Sequence, residues 1–473
     1  MKTMQTIDNS DLLPKVRKDF EVTLDDGFSP DWVKDLVIVE LRLATATPEG
    51  TIQAAYRLLE HYAEMGVNGI WLTPVYDMGK TGNGYGSYGP YTIDPQLTGT
   101  EDYQEGWGVL KTFIEKAHAK NIRIFLDAVT WGTVDEAPIR KEHPEFFSGS
   151  DSWGGKAFQY GEWPWRQWYF NAMINLVFDV GCDGFRCDCE PLITGYELFK
   201  AVREYCLKNG RKIAVFSEDQ NERLDTYDFE QYGVMQELYE WGVDKQVVNP
   251  RNHFLEKYNI VDSCKNGTGI GSRFAHSVGL NGNYRFYTYN TCCHDNGKTI
   301  VDDNLLAIGY QAILAPFIPV LWMGDEAMRI CHDGSNCLYF QSPEIDQLLE
   351  LPQNKAFYEK VKRYIRIRRQ YPEIFSYFPP NHREVNICKV HSDADLQAYA
   401  RFTDGKCVLV IPNNTDSERS VIAEIPYEEC GLTRDDKLRM FDLMAERDLP
   451  LGKQLKIDVL AREMAVILLE KIG

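Results

Sequence analysis

The segment Asp183-Gly184-Phe185-Arg186-Cys187-Asp188 places two carboxylates and a guanidinium within a few residues of one another. In an extended chain alternate side chains share a face, so Arg186 and Asp188 point one way and Cys187 the other. A guanidinium beside Asp188 keeps that carboxyl ionised at neutral pH, the state a carboxylate nucleophile needs. Further along, Ala214-Val215-Phe216-Ser217 runs into Glu218, Ile124-Phe125-Leu126 runs into Asp127, and His294-Asp295 follow a run ending at Cys293. Glycosidic-bond cleavage requires two carboxyl groups, one ionised for attack and one held protonated. In that chemistry Asp188 attacks the anomeric carbon. Glu218, kept protonated by burial and nearby negative charge, protonates the leaving oxygen and later activates water. Any one acidic residue at a strand end has an ordinary structural explanation. Four of them on four strands, with an Arg and a His, do not.

Those groups converge only if a scaffold brings the strand ends to one rim. The first 380 residues or so alternate short apolar runs with longer amphipathic patterns, the signature of βα units around a parallel sheet. The expected strands are Leu36–Leu43, Gly69–Pro74, Ile122–Val129, Gly184–Asp188, Lys212–Glu218, Val234–Leu238, Tyr287–Cys293 and Ile318–Met323. Helices are expected over Thr51–Met65, Trp107–Lys120 and Asn354–Gln370. The fold class is therefore α/β, a (β/α)8 barrel over residues 1–380, whose site is built where the strands end. Two long excursions, 75–100 and 131–165, carry many aromatic residues and are expected over that rim. From residue 381 to 473 the pattern becomes short alternating runs with turn signals, read as a small antiparallel β-sandwich domain.

Composition narrows the ligand. The formal net charge of −19 disfavours a nucleic-acid backbone or an anionic membrane surface as partner. The longest apolar stretch, Ala312–Met323, contains Pro316 and Pro319 and is too short to cross a bilayer. No secretory pattern opens the sequence, and 12 cysteines without one point to free thiols in the cytoplasm. The clusters Cys292-Cys293-His294 and Cys331-His332 with Cys337 lack the paired spacing of a structural zinc site.

Gly184-Phe185-Arg186-Cys187-Asp188, Glu218 and His294-Asp295 together resemble the α-amylase family of glycoside hydrolases. So do Gly66 to Pro74, Gly84-Tyr85, Ile93-Asp94-Pro95 and Ile318 to Glu326. The resemblance implies Asp188 as nucleophile, Glu218 as general acid/base and Asp295 as a third carboxylate gripping sugar hydroxyls. It also implies Arg186, Asp127 and His294 around the bound sugar, with Tyr85 as a stacking platform; Trp131, in the aromatic excursion after the third strand, is expected to contact the sugar as well. The implied substrate is an α-linked gluco-oligosaccharide or glucan.

Two departures stand out. Where the family's third-strand motif continues from Asp to an Asn and a His, this chain has Trp131 and Gly132, and Cys293 replaces an Asn before His294. The Asn position often binds calcium in that family, so no cofactor or metal is expected here. Hydrolysis and glucosyl transfer share one covalent intermediate, and both remain open, as does a non-catalytic barrel that binds sugar or protein. A phosphate site is not expected, because no Gly-rich phosphate cradle is present. About 35 residues precede the first strand, too few for an added carbohydrate-binding module, so soluble chains are expected as substrates rather than granules.

Overall fold

In the computed structural model of this protein, the residues described are 30–159, 163–188, 194–217, 229–230, 261–262, 265, 286–290, 294, 304–313, 317–329, 345–376, 384–394 and 396–472. The chain divides into two compact units. One comprises 1–232, 293–295 and 336–344, and the other 233–292, 296–335 and 345–473.

The first unit is built on a curled parallel sheet of β1 (Ile38–Leu41), β2 (Gly69–Leu72), β3 (Arg123–Val129), β7 (Gly184–Asp188), β8 (Ala214–Ser217) and β9 (Phe229–Glu230). Those strands pair in that order. The first two strands are buried along their whole length, as parallel strands covered on both faces must be. Helix Tyr56–Met65 covers the sheet with Leu58, Leu59, Tyr62 and Met65, and ends at Gly66 in the left-handed region. Helix Tyr103–His118 starts where the Asp102 side chain accepts from the Gln104 and Glu105 amides, and buries Leu110, Phe113, Ile114 and Ala117. Both helices fall where apolar periodicity places them. Phe229–Glu230 pairs with β8, and the expected strand Val234–Leu238 lies outside the described residues.

After β3 the chain leaves the sheet for the excursion expected at 131–165. There it forms a three-stranded antiparallel sheet of β4 (Gly132–Val134), β5 (Phe147–Ser152) and β6 (Gly155–Phe158), with β6 in the centre. Helix Trp163–Asn175 follows and returns to the core, where the Tyr169 hydroxyl donates to the Val129 carbonyl.

The second unit holds a parallel pair, β10 (Phe286–Asn290) and β11 (Phe317–Trp322), in register Tyr287 to Phe317. Helices Asn304–Ile313 and Pro352–Gln370 pack together there, tied by the buried Arg368 guanidinium donating to the Ala312 carbonyl. The C-terminal strands are β12 (Ile387–Lys389), β13 (Tyr399–Thr403), β14 (Lys406–Pro412), β15 (Arg419–Glu424), β16 (Leu438–Asp442), β17 (Arg447–Asp448), β18 (Gln454–Val459) and β19 (Met464–Lys471). They form a six-stranded sheet, β12-β13-β14-β19-β16-β17, and a two-stranded sheet, β15-β18. The sheets enclose one apolar core that includes Leu409, Ile411, Val421, Leu455, Ile457 and Ile467, the expected small sandwich. Among the described residues no helix is long and apolar enough to cross a membrane.

Candidate active site

The alternation read from the sequence holds in β7. Cys187 is fully buried and faces away, while Arg186 Nη1 donates to Asp188 Oδ1 at 2.7 Å. The same nitrogen also reaches Asp127 Oδ1 at 3.1 Å, because β3 and β7 pair with Asp127 opposite Arg186. One buried guanidinium thus serves two carboxylates. Asp188 is further held through its main chain, whose carbonyl accepts the Thr130 hydroxyl at 2.7 Å. Asp183, the first residue of the motif, has a structural role. Its carboxylate accepts the Ile124 amide at 2.9 Å and pairs with His118 at 2.7 Å, locking β7 against β3.

Asp127 is the hub. Besides Arg186, its Oδ2 accepts the Trp71 indole N–H at 3.0 Å and the Tyr85 hydroxyl at 2.9 Å. Burial pushes the Asp127 carboxyl above its ordinary value, against Arg186, His294 and Tyr85, which pull it down. Burial, with Asp127 next in effect, raises the Tyr85 hydroxyl well above its ordinary value, so this tyrosine stays a donor. The Tyr85 ring stacks on His294 with centroids 4.6 Å apart and planes at 20°. His294 is buried, sits edge-on to Trp71 at 5.8 Å, and bonds through Nδ1 to the buried Glu40 carboxylate. The Arg186 guanidinium lies 5.0 Å from the Trp71 ring centroid.

Asp127, Arg186, Asp188, Tyr85 and His294 therefore come together as expected. Glu218 and Asp295 lie outside the described residues; Ser217, the residue before Glu218, is paired with Cys187, the residue before Asp188. Two members of the site escape a reading of the sequence. Glu40 carries one signal, as the lone charge in Leu36 to Leu41, an otherwise apolar strand. Trp71 carries none, since a buried tryptophan in a strand is ordinary core.

Trp131 sits differently from a sugar-facing residue. It is 3 % exposed, and its indole N–H donates to the Tyr85 carbonyl at 2.8 Å. It reaches the site by fixing the backbone of the loop that carries Tyr85. Gly132, the next departure, is set by the small sheet: a Cβ there would lie 1.9 Å from the Lys156 carbonyl oxygen. A histidine has no room at that position. An indole and a glycine offer no side-chain oxygen to a hard cation, so the side chains present do not fit calcium at the family's position. Activity is accordingly expected to survive exhaustive chelation unchanged; a loss restored by calcium alone would show a site elsewhere.

Ile93-Asp94-Pro95 also has a local physical role. The Asp94 side chain caps the short helix Pro95–Thr98 by accepting the Gln96 amide, and its own amide bonds to the Val75 carbonyl. That closes the base of the 75–100 loop carrying Tyr85.

Comparison with known proteins agrees with this geometry. Residues 18–174 match the catalytic-domain model of the α-amylase family. A malto-oligosyltrehalose trehalohydrolase from Arthrobacter ramosus is 34% identical over 41% of this chain and 35% of its own length. A cyclomaltodextrinase from Thermoanaerobacter pseudethanolicus is 20% identical over 79% of this chain and 65% of its own. The match thus spans only about a third of the first of these relatives. A maltogenic α-amylase from Thermotoga neapolitana has the same fold, with TM-score 0.68 at 18% identity, covering 93% of this chain and 100% of that one. With the Gly-Phe-Arg-x-Asp strand and the tyrosine and histidine beside Asp127, the matched residues 18–174 make this chain similar to the α-amylase family of glycoside hydrolases.

Proposed function

We propose that the protein is a retaining α-glycosidase that cleaves or transfers α-glucosidic bonds in soluble oligosaccharides or glycogen-type chains. The observation that carries this reading is the single Arg186 nitrogen shared by Asp127 and Asp188 beneath the Tyr85–His294 pair. It presents Asp188 as a fixed, ion-paired carboxylate at the end of its strand, where barrel enzymes do their chemistry. Asp188 attacks the anomeric carbon and forms a covalent glycosyl ester. Glu218 gives its proton to the leaving oxygen, then takes one from the incoming water or sugar hydroxyl. Asp127, Asp295 and His294 grip the sugar, with Tyr85 as its platform. The names of the relatives refer to malto-oligosyltrehalose and cyclomaltodextrin, which supports an α-glucoside substrate here. No metal takes part in these steps. The described cysteines are buried and form no disulfide with one another, which supports a reducing, cytoplasmic setting.

The test is product analysis on maltooligosaccharides, glycogen, trehalose and sucrose, with proton NMR following the first product. Retention requires the two carboxyls to lie about 5–5.5 Å apart, leaving no space for a water between Asp188 and the sugar. The α anomer is expected first, before mutarotation. β product at first release overturns the mechanism, and inertness towards every α-glucan overturns the substrate class.

A further inference from the structure

Among the described residues, the most exposed large apolar side chain is Trp153, at 71%. It occupies the tip of the hairpin joining β5 and β6. Ser152 pairs with Gly155, so Trp153 and Gly154 form a two-residue turn, with φ of 41° and 81°. Positive φ at both central positions is the type I′ pattern, whose first position is normally Asn, Asp or Gly. A tryptophan there is strained and has no burial to offset the strain. Such an outlier points from structure to function. Nor is the side chain loose in solvent. It meets the Trp131 ring at 5.6 Å and 76°, edge to face, which fixes its direction and leaves most of the indole uncovered. Trp131 in turn holds the Tyr85 carbonyl, and Tyr85 holds Asp127.

We infer that Trp153 is a sugar-stacking platform outside the cleavage site, which engages a distal glucose of a longer α-glucan and sets the enzyme's chain-length preference. A pyranose presents an apolar C–H face that matches an exposed indole, and it carries no charge to be repelled by an acidic protein. A platform at a hairpin tip needs the large aromatic that the turn disfavours, and this accounts for its presence there. The inference rests on the α-glucan reading above.

Three proteins decide it: wild type, Trp153→Ala and Trp153→Asn. Both variants should lower kcat/KM for maltoheptaose about tenfold, through KM, and leave maltotriose within about twofold. Asn-Gly is the favoured type I′ pair, so Trp153→Asn should melt no lower than wild type. A purely structural tryptophan predicts the opposite: a lower melting temperature and an equal loss on both substrates. Either that result or an unchanged chain-length profile overturns the inference. If wild type acts on neither oligosaccharide, the α-glucan reading has failed, and equilibrium binding of maltoheptaose then decides the platform. Binding about tenfold weaker in Trp153→Ala upholds it; equal binding, or none, overturns it.

Discussion

Asp188→Asn is expected to lower kcat on maltooligosaccharides by at least about 10⁴-fold while leaving the protein folded. The amide oxygen can still accept from Arg186 Nη1, as the carboxylate does at 2.7 Å. The main-chain bond from Thr130 does not involve the side chain at all. What disappears is the anionic nucleophile, and among the described residues Asp127 does not replace it, because it is engaged by Trp71, Tyr85 and Arg186. Glu218→Gln should fall by roughly 10²–10⁴-fold, the usual contribution of general acid–base catalysis. Steady-state rates with circular dichroism on the same samples check both. A tenth of wild-type activity in the Asn variant would remove Asp188 from its role.

The second large effect concerns stability. Arg186 is fully buried between two carboxylates, and Arg186→Leu removes the cation they share. Breaking a buried pair by removing one partner costs about 3–5 kcal/mol. Urea unfolding of the variant should show a loss of that order, and Arg186→Lys should recover only part of it, because one ammonium lacks the planar fork. The effect has a signed pH dependence. Burial already holds the Asp127 carboxyl above its ordinary value, and without Arg186 it is held higher. A carboxyl whose pKa is raised on folding favours the native state at low pH, and that stability is lost as pH rises through the folded pKa. The variant's deficit should therefore shrink as pH is lowered from neutral. A deficit below about 1 kcal/mol would mean the carboxylates find other partners.

Much of the arrangement is legible in the amino-acid sequence, for identifiable reasons. Gly184–Asp188 is placed to the residue, because a buried strand with an i, i+2 charge pair allows one facing only. Apolar periodicity locates the helices ending at Met65 and Gln370, and length and aromatic content locate the excursion after β3. What the sequence hides is tertiary. The pairing of Phe229–Glu230 with β8 is a contact that no local pattern announces. β5 contains Ser148-Gly149-Ser150, poor strand formers that fall at an irregularity of the pairing with β6, between Phe147 and Asp151. Trp131 is visible as a departure, but the direction of its N–H is a property of the folded loop. Glu40 is the sharpest case, since its meaning depends on a histidine far along the chain.

That separation shapes how the chain is assembled. The Glu40–His294 contact spans 254 residues of sequence. Closing so long a loop costs about 5 kcal/mol of chain entropy by the logarithmic rule. At translation rates of about 5–20 residues per second, Glu40 waits roughly 13–50 s for its partner to be made. Over that interval β1, β2, β3, β7 and β8 can already pair as a growing sheet with a buried-side carboxylate still in water. The histidine arrives late, so the Glu40–His294 contact forms well after the sheet around Asp188 can pair, and a chain halted before residue 294 would carry Asp188 and Arg186 without it.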